Sequence, residues 1–517
     1  MALAPLRHRA EWGAVTEYDY IVVGAGTAGC VLAARLSEDA AADVLLLEAG
    51  ESARTRAMIV PSAWPENLGS PADWASTTTG QAGAGPVGYP RGRTLGGSSA
   101  INAMAHVRGH RSVYDGWAAT GAARWGFVEL LPYFRRSERA AGDPVLRGTD
   151  GPVRVAPVPS AARHPVAAAF AAALGAIGVP ATADLSGSSQ EGFAWVDLAI
   201  DGGERVSAAD AYLRPVLSRP NLAVRTGCLV TGLLVERGVC RGVRYAVNGT
   251  PRDARASTEV ILCAGAVGSP QLLMLSGIGP AAHLRRLGIV PVADLPEVGR
   301  NLQDHPVVIV ACEPPEPLPG SQYNHGEVYA AIRSPLARDV PDLHLFPILL
   351  PVPPTGRPAL PGSAYNLAAS VVAPDSRGTV TLAAADPRVP PLIDPAFLTA
   401  DRDISRMATA VSMLRQIIAR PEFAPAFKAE IWPGPDVLTP TSLRDYIWRT
   451  VGSYYHPAGT CRLGSDDAAV VDLELRVRTV TGLRIADASV LPVIPNAHPN
   501  ATVLAVAERA ADLIRGH

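Results

Sequence analysis

Residues Asp19–Glu48 read Asp-Tyr-Ile-Val-Val-Gly-Ala-Gly-Thr-Ala-Gly-Cys, then an Ala- and Leu-rich run, then Asp-Val-Leu-Leu-Leu-Glu. The apolar run Tyr20–Val23 reads as a strand that ends at Gly24, Gly26 and Gly29. With a strand before it, a helical run after it and an acid about twenty residues on, this spacing is the fingerprint of a dinucleotide-binding turn. Gly24 permits the sharp turn, Gly26 lets a pyrophosphate approach the backbone, and Gly29 lets the helix lie close on the strand. Thr27 and Ala28 open the helix, whose free N–H groups face the phosphates. Glu48, with Ala49 behind it, closes the second strand, where a carboxylate takes a ribose 2′-hydroxyl. An acid there repels a 2′-phosphate, which argues against NADP. The fingerprint by itself leaves FAD and NAD open.

Outward from this unit, the bulk properties set bounds. A chain of 517 residues is too long for one simple core and implies two domains or large insertions. Hydrophobic residues make up 48% and charged residues 18%, a globular profile. The net charge of −2 implies no polyanionic partner. Lys428 is the single lysine; every other basic side chain is arginine. Cys30, Cys228, Cys240, Cys263, Cys312 and Cys461 are scattered, without metal-like spacing. Cys30 and Cys263 read as small buried hydrophobes. No metal site is expected. Residues 1–17 read as a loose leader, no apolar run reaches membrane-spanning length, and the placement expected is a reducing cytoplasm.

Along the chain, residues 51–90 read as an extended covering segment. Gly96, Gly97, Ser98 and Ser99 offer a second phosphate-contacting turn. Residues 112–139, 164–179 and 205–217 read as helical. A meander is expected over Leu222–Thr226, Leu229–Glu236 and Cys240–Val247. Glu259–Cys263 then reads as a strand rejoining the parent sheet, with Gly265 turning the chain and Pro270 in a first helical turn. Residues 306–440 are Pro-rich with alternating strands such as Asn366–Val372 and Gly378–Leu382. His325 and His344 stand isolated there and read as structural or substrate-lining. The tail closes with a strand-like run at Gly482–Ser489 that ends in polar groups and a helix over 502–515. The fold class expected is α/β: a discontinuous Rossmann-like FAD-binding domain (1–155, 222–305 and 450–517). A second α+β substrate domain on an antiparallel sheet takes 156–221 and 306–449.

Several blocks carry a resemblance over nearly the whole chain. They are Gly24–Glu48, Gly92-Arg-Thr-Leu-Gly-Gly-Ser-Ser-Ala-Ile-Asn102, Gly265-Ala-Val-Gly-Ser-Pro-Gln-Leu-Leu-Met-Leu-Ser-Gly-Ile-Gly279, His456-Pro-Ala-Gly-Thr-Cys-Arg-Leu-Gly464 and His498-Pro-Asn-Ala-Thr502. Gly299-Arg-Asn-Leu-Gln-Asp-His305 is a further such stretch. Together they resemble the glucose–methanol–choline (GMC) oxidoreductases, FAD-dependent alcohol oxidases and dehydrogenases. Length and the 450–517 block are most similar to members acting on aryl alcohols, hydroxymethylfurfural, pyridoxine or choline. Two positions depart from the pattern. His106 stands where members usually carry an aromatic residue; local hydrogen bonding is expected of it. Ile101 stands where covalently flavinylated members carry His, so the resemblance implies non-covalent FAD.

The resemblance implies oxidation of a primary alcohol, aromatic or heteroaromatic among the candidates, to the aldehyde by hydride transfer to flavin N5. The hydroxyl proton needs an acceptor with a near-neutral pKa, and imidazole fits. His456 is expected as that base, with Asn500 hydrogen-bonding the same oxygen. Tyr455 and His498 are expected to line the pocket; an extended segment would put His498 and Asn500 on one side. For FAD, the expected contacts are Gly24, Gly26, Thr27, Ala28, Gly29, Glu48 and Ala49, then Arg93, Leu95, Gly97, Ser98, Asn102 and Ala103. Val230, Ala264, Asp487, Ala488, Asn500, Ala501 and Thr502 complete the set. Oxygen or an organic acceptor would reoxidise the flavin. A hydroxynitrile lyase-like enzyme and a light-driven fatty-acid decarboxylase are the alternatives on the same scaffold.

Overall fold

The computed structural model describes residues 16–81 and 83–516. Residues 1–15 of the expected leader lie outside them, and 16 and 17 already belong to the first strand. Strand β1 (Thr16–Val23), helix α1 (Thr27–Leu36) and strand β2 (Val44–Leu47) form the unit read from the fingerprint. Helix α1 has no polar face because it is covered all round: residues 28–34 and Leu36 are all buried.

The first sheet has the order Leu222–Arg225, β2, β1, Thr250–Leu262, Val239–Val247, Cys228–Glu236, with Leu483–Ile485 beside Thr250–Leu262. Five of these strands run parallel and stop on one line: Arg225 opposite Leu47, Leu47 opposite Val23, Val23 opposite Leu262, Leu262 opposite Ile485. Gly24, Glu48, Cys263 and Ala486 therefore emerge together at one sheet edge, where open α/β sheets bind ligands. The expected meander is corrected in one respect. Leu222–Arg225 leaves it and pairs in parallel with β2, because Gly227, at φ 65°, turns the chain before Cys228. The antiparallel part runs from Cys228 to the start of the long strand Thr250–Leu262, whose length also pairs with β1.

The second sheet is antiparallel throughout, in the order Ala429–Trp432, Pro306–Glu313, Tyr365–Val371, Leu343–Ile348, Val328–Ile332, Gly192–Trp195. Gly452–Ser453 pairs with its Pro306 end, just past the expected limit at 449. Side chains alternate across this sheet. Val308, Val310, Leu345, Leu367 and Ala369 join the helices Pro165–Ala176 and Asp401–Ile418 in one core. The opposite face presents Tyr329, Phe346 and Ala368. No helix among the described residues is long and apolar enough to cross a membrane.

Two local expectations differ. Residues 51–90 are not all extended: they include a helical turn, Arg56–Ile59, and a 3-10 segment, Pro61–Asn67. Pro270 lies inside the helix Gly265–Leu275, past its first turn. Its missing N–H leaves the Ala266 carbonyl without a helical partner, and the Thr460 hydroxyl donates to that carbonyl at 2.7 Å.

The C-terminal helix Pro499–Arg515 packs on α1 and is pinned there by buried Glu508. Its carboxylate accepts from Arg35 at 2.9 Å through both oxygens and from the Tyr212 hydroxyl at 2.8 Å. Removing one member of such a buried set strands the others. Glu508→Ala is expected to cost about 3–5 kcal/mol of stability, read as a lower midpoint in chemical unfolding.

Candidate active site

The edge where the parallel strands stop is built for a long ligand. Gly29 packs so close that a Cβ would sit 1.8 Å from the Gly24 carbonyl oxygen. No side chain caps the N-terminus of α1, so its first N–H groups are left for an acceptor. The second glycine turn docks on the first: the Gly96 N–H donates to the Ala25 carbonyl at 2.8 Å. Gly97 has φ 53°, and a Cβ there would meet the Gly26 Cα at 2.6 Å. Glu48 is buried and accepts from the Ala25 and Gly50 N–H groups, each at 2.8 Å. Burial pushes its carboxyl up to about 7 against the pull of those amides and Arg93. An uncapped helix end, two interlocked glycine turns and a buried carboxylate fit the phosphates and ribose of a dinucleotide.

Around this cleft, Arg93 stacks on Trp74 at 4.9 Å, and the Ser98 hydroxyl accepts from the Gly92 N–H at 3.1 Å. Leu95 is buried. The Asn102 side-chain oxygen is held by Arg205 at 2.8 Å, and the Ala103 carbonyl accepts from Asn324 at 2.9 Å. Val230 is buried in the strand Cys228–Glu236, whose first N–H bonds the Glu48 carbonyl at 2.8 Å. Ala264 caps the helix Gly265–Leu275. Asp487 accepts from the Gly265 N–H at 2.8 Å and the Ser269 hydroxyl at 2.5 Å, and Ala488 follows it in a 3-10 turn. Thr502 is fully buried, with its hydroxyl on Tyr114 at 2.8 Å. Ala501 is buried beside it.

A group of aromatic rings lies against the Tyr329 and Phe346 face of the second sheet. Tyr454 packs on His456 with ring centroids 4.4 Å apart and stacks on Phe346 at 4.7 Å. His498 approaches His456 at 5.1 Å and Tyr329 at 5.0 Å. Its Nε2 meets the Tyr454 hydroxyl at 3.2 Å. His344 lies 6.2 Å from His498. His305 and His456 share a hydrogen bond between their Nδ1 atoms at 3.0 Å. Buried Asp304 holds the frame: its Oδ1 accepts from the N–H groups of His305 and His456, each at 2.8 Å, and its Oδ2 from Ser453 at 2.5 Å. Burial depresses every one of these imidazoles. His456 is held well below the usual range by burial and then by His498, His305, Arg91 and His344. His305 is likewise well below it, His344 falls to about 4 and His498 to about 3. All four are neutral at neutral pH.

His456 and His498 are thus brought together, and Asn500 is not in the ring group. Its side-chain oxygen accepts from the Thr27 hydroxyl at 2.7 Å, on the glycine turn. The extended geometry assumed for 498–500 gives way to a helix at Pro499. His498 keeps extended backbone as the residue before the helix, while Asn500 lies in its first turn, so strand alternation does not carry through to Asn500. Tyr455 has φ 67° and is 38% exposed, while the ring that packs on His456 is Tyr454. His106 does bond locally, through Nε2 to Glu138 at 3.1 Å. His325 holds the Ser62 carbonyl at 2.8 Å. The residues missed by reading are His305, Tyr454, Tyr329, Phe346 and Asp304. Only the Asp304-His305 pair carried a signal, inside the stretch that begins at Gly299.

The described geometry can be set beside known proteins. The GMC oxidoreductase family descriptions match residues 18–307 and 374–507. The chain belongs to the GMC oxidoreductase family. It is 40% identical to the mitochondrial choline dehydrogenase of Homo sapiens, over 97% of this chain and 90% of that one. It is 39% identical to the oxygen-dependent choline dehydrogenase of Photobacterium profundum, over 97% and 94%. Among solved structures, pyridoxine 4-oxidase from Mesorbium loti superposes with a TM-score of 0.93 at 36% identity, covering 97% of this chain and 99% of that one. This GMC oxidoreductase is an FAD-dependent enzyme acting on alcohols, with an FAD-binding domain and a substrate domain on an antiparallel sheet.

A methyl at Gly97 would force the two glycine turns apart. Gly97→Ala is expected to emerge from desalting with less than half the wild-type flavin per chain, measured by absorbance after acid release.

Proposed function

We propose that this enzyme oxidises a neutral aromatic or heteroaromatic primary alcohol to its aldehyde. His456 serves as the base and His498 as the second group on the substrate oxygen. The observation that carries this is the approach of His456 and His498, ring centroids 5.1 Å apart, within the group of rings. Bound FAD supplies the acceptor for the hydride. His305 engages His456 Nδ1, so Nε2 is the nitrogen left to take the hydroxyl proton. His498 Nδ1 is buried without a protein partner and suits a hydrogen bond to the same oxygen. Tyr454 stacks on Phe346 and packs at a tilt on His456, holding the imidazole against the second sheet. Asn500 is assigned to the flavin side through Thr27.

Choline is named for the curated relatives, but the ring group argues for an uncharged substrate here. The charged or titratable groups acting on His498 are His344 and His106, and burial alone acts on His344. The carboxylate at these rings is Asp304, and it is engaged by the amides of His305 and His456 and by the Ser453 hydroxyl rather than left open for a quaternary ammonium. FAD is read as non-covalent, since buried Ile101 offers no nucleophile. We assign the flavin to the body formed by 1–155, 222–305 and 450–517, and the substrate to 156–221 and 306–449. Six free, buried cysteines agree with a reducing cytoplasm.

Anaerobic bleaching of the flavin tests this reading. A benzylic or pyridoxine-like alcohol is expected to bleach it and choline to leave it oxidised. His456→Ala should slow bleaching by about 10²–10⁴-fold, and His498→Ala by about 10²-fold. Asn500→Ala should lower flavin retention more than the bleaching rate. Preferential bleaching by choline would overturn the substrate assignment. The pH profile follows from the depressed imidazole: a base with a lowered pKa stays unprotonated as pH falls. The acid limb of kcat/KM is therefore expected well below pH 6.5, the ordinary imidazole value.

A further inference from the structure

We propose that His305 is a positioning residue for the base: it accepts the Nδ1–H of His456 and so keeps the Nε2 lone pair of His456 free. This rests on His456 being the base. The contact is direct, with Nδ1 to Nδ1 at 3.0 Å, ring centroids 5.2 Å apart and planes at 88°. One proton lies between two nitrogens, and its ownership fixes both tautomers.

The role of His456 assigns that proton. His305 Nε2 is fully buried and has no hydrogen-bond partner, so the Nδ1–Nδ1 contact is the hydrogen bond that the His305 ring makes. A base must keep a lone pair for the substrate hydroxyl, and with Nδ1 of His456 turned to His305 that lone pair is on Nε2. Nδ1 of His305 is then the bare nitrogen, and Nδ1 of His456 carries the shared proton. Nε2 of His456 follows as the open acceptor for the substrate hydroxyl.

The arrangement is held by the backbone. Asp304 grips both amides. The Tyr454 N–H donates to the His305 carbonyl at 2.9 Å, and Gln303 and Ala458 exchange bonds of 3.0 and 2.9 Å. The groups facing His456 are His305, His344 and His498, with Arg91 and Tyr454, while the Asp304 carboxylate spends itself on amides. A carboxylate in place of His305 would raise the pKa of the base. A neutral imidazole orients it without that rise. When His456 takes the substrate proton, both its nitrogens carry hydrogen and the Nδ1–H bond to His305 becomes charge-assisted.

The test combines two variants with a direct view of the tautomer. His305→Ala is expected to slow anaerobic flavin reduction about 100-fold with flavin content unchanged. His305→Gln, whose side-chain oxygen can accept the same bond, should return to within about 10-fold of wild type. Nitrogen NMR on the wild-type holoenzyme, labelled in its imidazole nitrogens, should find the His456 proton on Nδ1, assigned by its loss in His456→Ala. A wild-type rate in His305→Ala overturns the proposal, as does equal loss of rate and flavin in both variants or an Nε2–H His456. The NMR result decides even if a variant fails to fold. If His456→Ala bleaches normally, the base assignment fails separately.

Discussion

Five parallel strands end on one line, and the placement of the cofactor cleft depends on that register. Arg225, Leu47, Val23, Leu262 and Ile485 are in step across the sheet, so residues from five distant parts of the chain arrive at one edge. A ligand that needs a phosphate cradle, a ribose partner and a platform for a ring can be met there by backbone alone. The glycines matter because two turns must touch: Gly26 and Gly97 meet where a single methyl would separate them.

The second sheet brings the chemistry to that edge. Alternation sends one set of side chains into an apolar core against helices and the other, Tyr329 and Phe346, towards the rings on the loops. Gly452–Ser453 pairs with the Pro306 end of this sheet. Asp304 then ties the amides of His305 and His456 together. Neutral imidazoles can be buried this way because their desolvation cost falls on the charged form. Burial thus makes them acceptors and donors of single hydrogen bonds, the state alcohol activation needs.

Much of the fold was legible because its signals are local. The fingerprint, the helix over 502–515 and the strands at 366–372 and 483–485 depend on period and turn residues. The strand Leu222–Arg225 was found, but its neighbour was misassigned, since pairing depends on where Gly227 sends the chain. Pro270 was misplaced by the assumption that proline opens helices; Thr460, distant in sequence, satisfies the carbonyl it leaves open.

The site divides in the same way. Sequence by itself placed the dinucleotide turn with Glu48, because that follows from residue types at fixed spacing, and the acid argued against a 2′-phosphate; the candidacy of His456 came from the family resemblance of its block. Tertiary structure alone decided which side chains share the space. His498 stays among the rings at the extended residue before the helix while Asn500 enters its first turn towards Thr27, and Tyr454 packs on His456. The contact of His305 with His456 spans 151 residues of sequence. No period or motif encodes such a distance; it exists only because two loops are clamped by one buried carboxylate.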